Sequence, residues 1–141
     1  MRDWLDVAAW LDWLRGGDLG DRGERAAERF LKRKGYAVVA RQQRSHLGEI
    51  DLIAVDGETI VFVEVKTRRG SDKGDPIEAV DSAKQQKLTR LALAFLKRRK
   101  LLGHSARFDV VAVLWPDESS APEITHYPDA FPPVGHDSMF S

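Results

Sequence analysis

The chain has 141 residues, with 22 Lys and Arg balanced by 22 Asp and Glu, 43% apolar residues and no cysteine. That length suits one domain burying most of its apolar surface. The lack of thiols leaves no disulfide or thiolate metal site and fits a reducing cytoplasm. The zero net charge hides an asymmetry: from Arg22 to Arg107 there are 20 basic residues against 11 acidic ones, and the other acids sit toward the two ends.

Residues 3–15, DWLDVAAWLDWLR, place Trp4, Val7, Ala8, Leu11 and Leu14 at helical spacing before Gly16-Gly17 ends the pattern. Asp3, Asp6 and Asp12 stand where a secretory leader needs a basic start and an unbroken apolar centre. The acidic polar side also argues against a membrane-surface helix, and no apolar run reaches the roughly 20 residues of a membrane span. We therefore read residues 1–19 as an appended amphipathic segment and expect no membrane partner.

A second helix is expected over 21–34, with Ala27, Phe30 and Leu31 inward and Gly35 as its C-terminal cap. YAVVAR (36–41) reads as a strand, followed by a hairpin turning at Asp56-Gly57. Asp75-Pro76-Ile77-Glu78 carries the signature of a helix start. The apolar pattern Leu88, Leu91, Ala92, Phe95, Leu96 continues that helical region to about residue 100, with a candidate break near Asp81-Ser82. Residues 107–115 form a further strand and 123–127 a short last one. A loosely ordered tail is expected over 128–141, leaving 20–127 as the folded domain. Helix, three strands, helix and one or two strands make an α/β fold on a mixed β-sheet flanked by helices.

The hairpin raises a chemical question, because GEIDLIAVDGETIVFVEVKTR (48–68) sets Glu49, Asp51, Glu64 and Lys66 among core-type residues. A two-residue turn at Asp56-Gly57 makes Asp51 oppose Phe62 and Glu49 oppose Glu64. Asp51 and Glu64 are then diagonal neighbours on one face, roughly 7–8 Å apart, with Lys66 further along it. Val61, Val63 and Val65 fill the other face, as a covered strand requires. Adjacent carboxylates repel and raise one another's pKa unless a cation lies between them. Clustered oxygens without His or Cys suit a hard cation, Mg²⁺ or Mn²⁺, and a neighbouring lysine suits an anionic transition state. An ion-pair network in which Lys66 neutralises Glu64 without metal accounts for the same spacing.

Asp51 followed by Glu64-Val65-Lys66 on a hairpin between two helices resembles the PD-(D/E)XK nuclease superfamily, although Ile50 replaces the proline of its name. GDRGERAAERFLKRKGY (20–36), Arg41-Gln42-Gln43-Arg44, GEIDLIA, VFVEVKTR, AVDSAKQQKLTRLALAFL and RFDVV together resemble the YraN-like bacterial family over residues 20–115. Gln42-Gln43 departs from the Asn-plus-aromatic pair that the family carries there. The resemblance implies a restriction-endonuclease-like fold (an α-β-β-β-α-β core), similar to Holliday-junction resolvases, and nuclease activity on DNA. It matches Asp51 and Glu64 to metal ligands, Lys66 to the catalytic lysine and Glu24 to an extra acid from the first helix. An exposed carboxylate favoured by the helix dipole is the plainer reading of Glu24. Glu49 belongs to the GEID motif, either behind the ligands or paired with an arginine such as Arg44.

From Ser82 to Phe108 there is no acid, while Lys84, Lys87, Arg90 and residues 97–100 are basic. Such a stripe suits a polyanion, and a solvated helix face has the same composition. Lys84, Gln85, Lys87 and Arg90, with Arg41, Arg44 and Arg68, are the candidate nucleic-acid contacts, Lys84 first among them. Asp109 either points to the site or bridges to Arg107, and His46 lies near the hairpin. A metal-dependent nuclease, a nucleic-acid-binding module on the same fold and a non-enzymatic interaction domain using the tryptophan segment and the acidic tail all remain open. A two-fold homodimer is the default assembly for a junction-like substrate.

Overall fold

A computed structural model of the chain describes residues 19–70 and 74–135. The tryptophan segment expected over 3–15 lies outside them. Helix α1 (Leu19–Arg33) forms on a stretch free of proline and β-branched residues, with Ala26, Ala27 and Leu31 buried at helical spacing. It ends where expected: Gly35 takes φ 98, and the N–H of Tyr36 reaches back to the carbonyl of Leu31 at 3.0 Å.

Strands β1 (Ala37–Ser45), β2 (Gly48–Asp56) and β3 (Thr59–Arg69) follow as an antiparallel meander. Helix α2 (Ser82–Arg98) crosses over to β4 (Ala106–Trp115), parallel to β3, and β5 (Glu123–Phe131) returns antiparallel. The five-stranded mixed sheet has the order β1-β2-β3-β4-β5, the architecture expected of a restriction-endonuclease-like fold. Leu52, Val61, Val63 and Val65 pack against α1, and Ile53, Phe62, Phe108 and Val110 against α2. Covered on both faces, β3 buries every residue from Ile60 to Val65, Glu64 included. Among the described residues no helix is long and apolar enough to cross a membrane.

Four expectations need correction. The hairpin turns at Gly57-Glu58, with Asp56 paired to Thr59 and Val55 to Ile60. Gly57 has φ 62 and Glu58 keeps a negative φ, so glycine holds the first central position. β1 runs on through Arg41–Arg44 to Ser45 because β2 supplies a ladder for those polar residues. The break expected near Asp81-Ser82 is present, but the segment before it, residues 75–79, makes one turn only, and the helix start belongs to Asp81, which caps α2 by accepting from the N–H of Lys84 at 2.9 Å. Val80, 1% exposed, inserts into the core between the two segments and prevents one continuous helix. β5 continues past Pro128 to Phe131, whose buried ring stacks on Phe108 at 4.8 Å.

Candidate metal and nucleic-acid site

The β2–β3 ladder runs from Asp56↔Thr59 to Leu52↔Val63 and stops. Beyond it, β2 pairs only with β1 and β3 only with β4, so the sheet forks at Asp51. The Asp51 carboxylate spans the fork, accepting from the N–H of Val65 at 2.8 Å in place of a ladder bond. β2 also rolls there. Ile50 and Ile53 both face α2, while Leu52 and Ala54 face α1; strict alternation would put Ile50 with Leu52. Opposite the roll, between the pairs Arg41↔Leu52 and Gln43↔Ile50, Gln42 takes φ 46. A residue with a Cβ rarely adopts that conformation, and such strain gathers at functional sites.

Glu24 reaches the fork because α1 lies unusually close to β3. A Cβ on Gly23 would stand 1.9 Å from Oγ1 of Thr67, so only glycine permits this approach. Glu24, Glu49 and Asp51 each present an oxygen within 4.8 Å of the others. The amide of Gln42 donates to Glu24 at 3.1 Å and to Asp21 at 3.3 Å, while Arg44 holds Glu49 at 2.7 Å. Glu64, 6% exposed, lies between the ammonium groups of Lys66 at 3.6 Å and Lys84 at 3.7 Å. Its second oxygen is buried without a hydrogen-bond partner.

Burial, and after it mutual repulsion, raises three of these acids. Burial, countered by the Gln42 hydrogen bond and reinforced by the charge of Asp51, pushes the Glu24 carboxyl up to about 7. Asp51 is raised by burial against the pull of the Val65 N–H. Glu64 is raised by burial and then by Asp51, with Lys84 and Lys66 acting the other way. These residues fit a hard divalent cation. The donor set is all oxygen, and opposed oxygens around Mg²⁺ at about 2.1 Å stand about 4.2 Å apart, so a span of up to 4.8 Å needs little closing. The orphaned Glu64 oxygen is a further place for such a charge.

The sequence-derived contacts divide by location. Lys84 reaches the carboxylates from α2, and Lys66 from β3. Lys87 and Arg90 are exposed on α2, the stem of Lys87 lying over Gly48, where a Cβ would stand 2.6 Å from Cε. Arg68 lines a cavity of about 190 Å³ together with Lys66. The Gln85 amide donates to the carbonyl of Val80 at 2.9 Å, a structural bond that ties the start of α2 to the segment before it. Arg41 makes a two-pronged ion pair with Glu28 and Arg44 pairs with Glu49, so both are held by carboxylates. Asp109 makes the bridge to Arg107 at 2.9 Å, well inside the protein. His46 is exposed in the β1–β2 turn and is not among the clustered acids. Sequence reasoning missed Gln42; its one signal was an amide at the position where the resemblance calls for an altered pair.

Comparison with known proteins agrees with the motifs. The family model described as Uncharacterised protein family UPF0102 matches residues 23–113, a span with Glu24, Asp51, Glu64 and Lys66 inside it. A UPF0102 protein of Rhodopirellula baltica is 48% identical over 95% of this chain and 86% of its own length. One from Geotalea uraniireducens is 50% identical over 80% of this chain and 88% of its own, and one from Symbiobacterium thermophilum 54% over 67% and 80%. On a match of more than half its length, and on relatives near 50% identity, the chain belongs to the UPF0102 family, the YraN-like family that its motifs resemble.

Proposed function

We propose that the chain is a Mg²⁺- or Mn²⁺-dependent nuclease of the cytoplasm that hydrolyses phosphodiester bonds in DNA, branched or structured DNA above all. The observation that carries this reading is the fork in the sheet: oxygens of Glu24, Glu49 and Asp51 lie within 4.8 Å of one another, and the charge of Asp51 also acts on buried Glu64, which pairs with Lys66 and Lys84. Asp51 and Glu64 would hold the cation, with Glu24 and Glu49 completing its oxygen shell. The cation supplies a bound water of lowered pKa and neutralises charge on the phosphoryl group. Lys66 and Lys84 place positive charge where the pentacovalent phosphate gains negative charge. Gln42 orients the carboxylate of Glu24, and Asp51 is fixed by the Val65 N–H before any ligand arrives.

The competing reading is a nucleic-acid-binding module on the same fold. It has no need of a buried carboxylate that keeps an orphaned oxygen and feels the charge of Asp51. The deciding experiment offers branched and linear DNA and RNA to the protein with Mg²⁺ or Mn²⁺, and compares Asp51→Asn and Lys66→Ala. Both variants should lose metal-dependent cleavage. Asp51→Asn should still bind DNA without metal, because a negative charge facing phosphate is gone. A wild type that cuts nothing with either metal, with variants that bind normally and melt early, would leave the module and remove the enzyme.

A further inference from the structure

A groove of about 550 Å³ leaves the carboxylate cluster between α1 and β1, with Glu24 and Asp51 at one end and Arg25, Arg29, Arg41 and Gln42 along it. Arg41 is neutralised there by Glu28, which also pairs with Lys32 at 2.7 Å and is held down at about 2 by the Arg41 hydrogen bond despite some burial. Arg25 and Arg29 are different. Both are exposed, and among the described residues neither makes an ion pair or hydrogen bond. They stand four residues apart on α1, about 6 Å along the helix and on the same side of it, on the wall of the groove that starts from Glu24.

We infer that this groove seats a single strand of nucleic acid next to the reacting phosphodiester, with Arg25 and Arg29 as its phosphate contacts. The inference deepens the nuclease reading and rests on it for the direction of the strand. Charge decides the occupant: planar guanidinium groups without carboxylate partners suit phosphate oxygens; of the acids lining the groove, Glu28 is taken up by Arg41 and Lys32, and Asp21, Glu24 and Asp51 gather at the end where a cation fits. Size decides the form. A volume of about 550 Å³ is that of a small-ligand site, room for a short run of unpaired nucleotides and far less than a duplex occupies. The basic residues of α2, across the sheet, stay available to paired nucleic acid. The substrate is thus a DNA with an unpaired segment at the cut.

Binding of a fluorescein-labelled oligo(dT) and of a blunt duplex to the full chain in EDTA, over a range of salt, tests this apart from catalysis. Arg25→Ala with Arg29→Ala should weaken oligo(dT) binding by roughly 10-fold and flatten its salt slope by about 1.4, at about 0.7 per lost contact. Duplex binding should change less than about two-fold. Arg25→Lys with Arg29→Lys should keep most of the slope, showing that charge and not folding is at stake. An unchanged oligo(dT) slope, or equal losses on both nucleic acids, overturns the groove even where the wild type cuts DNA. A flattened slope in a protein that cuts nothing keeps the groove and removes the nuclease.

Discussion

Glu24 is a residue whose acidity its surroundings alter strongly, burial above all. Burial first, and then the charge of Asp51, leaves its carboxyl half-protonated at about 7, and Asp51 and Glu64 are raised as well. A folded state that keeps protons the unfolded chain has released loses stability as pH rises between the ordinary carboxylate range and about 7. Glu28, held near 2 by Arg41, acts in the opposite sense but only below the ordinary range, so it does not mask the effect. The metal-free protein should therefore melt lower at pH 8 than at pH 5.5. Mg²⁺ at pH 8 should raise the melting temperature, since binding to the folded form alone stabilises it. Glu24→Gln should show a smaller fall with pH and a smaller response to Mg²⁺. Thermal melts of both proteins at the two pH values, with Mg²⁺ and with EDTA, give the answer, and identical pH dependence in the two would show that Glu24 takes no part.

One contact decides whether α1 delivers that residue. Gly23 lies so close to Thr67 that a methyl group there would meet Oγ1 at 1.9 Å and Cβ at 2.9 Å. Gly23→Ala must push α1 away from β3, at about 1–3 kcal/mol for overpacking, and should carry Glu24 out of reach of Asp51. A double variant with Thr67→Ala should recover part of the stability and of the Mg²⁺ response; no recovery would place the damage elsewhere. Such a contact cannot be read from sequence, because it joins residues from two elements. Alternation was legible: Val61, Val63 and Val65 share the α1 face as their spacing implies. The hairpin register came out two positions away, an even shift that leaves the sharing of faces unchanged. The fork and the strained Gln42 were not legible, since they depend on β2 parting from β3. Asp75-Pro76 was the stronger local start signal, yet burial of Val80 prevailed over it.

At the scale of the whole molecule, two buried acids one register position apart on neighbouring strands, Asp109 and Glu64, are treated in opposite ways. Asp109, fully buried in β4, accepts from Arg107 at 2.9 and 3.3 Å, from the His126 ring at 2.7 Å and from the N–H of Asp129 at 2.9 Å. Arg107 in turn reaches Tyr36 at 2.8 Å and Asp56 at the hairpin tip at 3.2 Å. That network ties β4 to β5, to the hairpin and to the chain leaving α1. Every oxygen of Asp109 is satisfied, which is what a structural role requires. Glu64, on the neighbouring strand, is nearly as buried and leaves one oxygen without a partner. A group kept in that condition lowers the stability of the metal-free fold and suits a ligand's needs. The two carboxylates should respond oppositely to the same isosteric change. Asp109→Asn breaks a buried charge network and should cost roughly 3–5 kcal/mol, a fall of about 10–17 °C in melting temperature. Glu64→Gln removes a charge that burial and Asp51 both disfavour, so in EDTA it should melt at or above the wild type while losing the gain from Mg²⁺. Melting both variants with and without Mg²⁺ separates the roles. A Glu64→Gln protein as destabilised as Asp109→Asn would make Glu64 one more structural ion-pair partner, and the fork a scaffold without a metal.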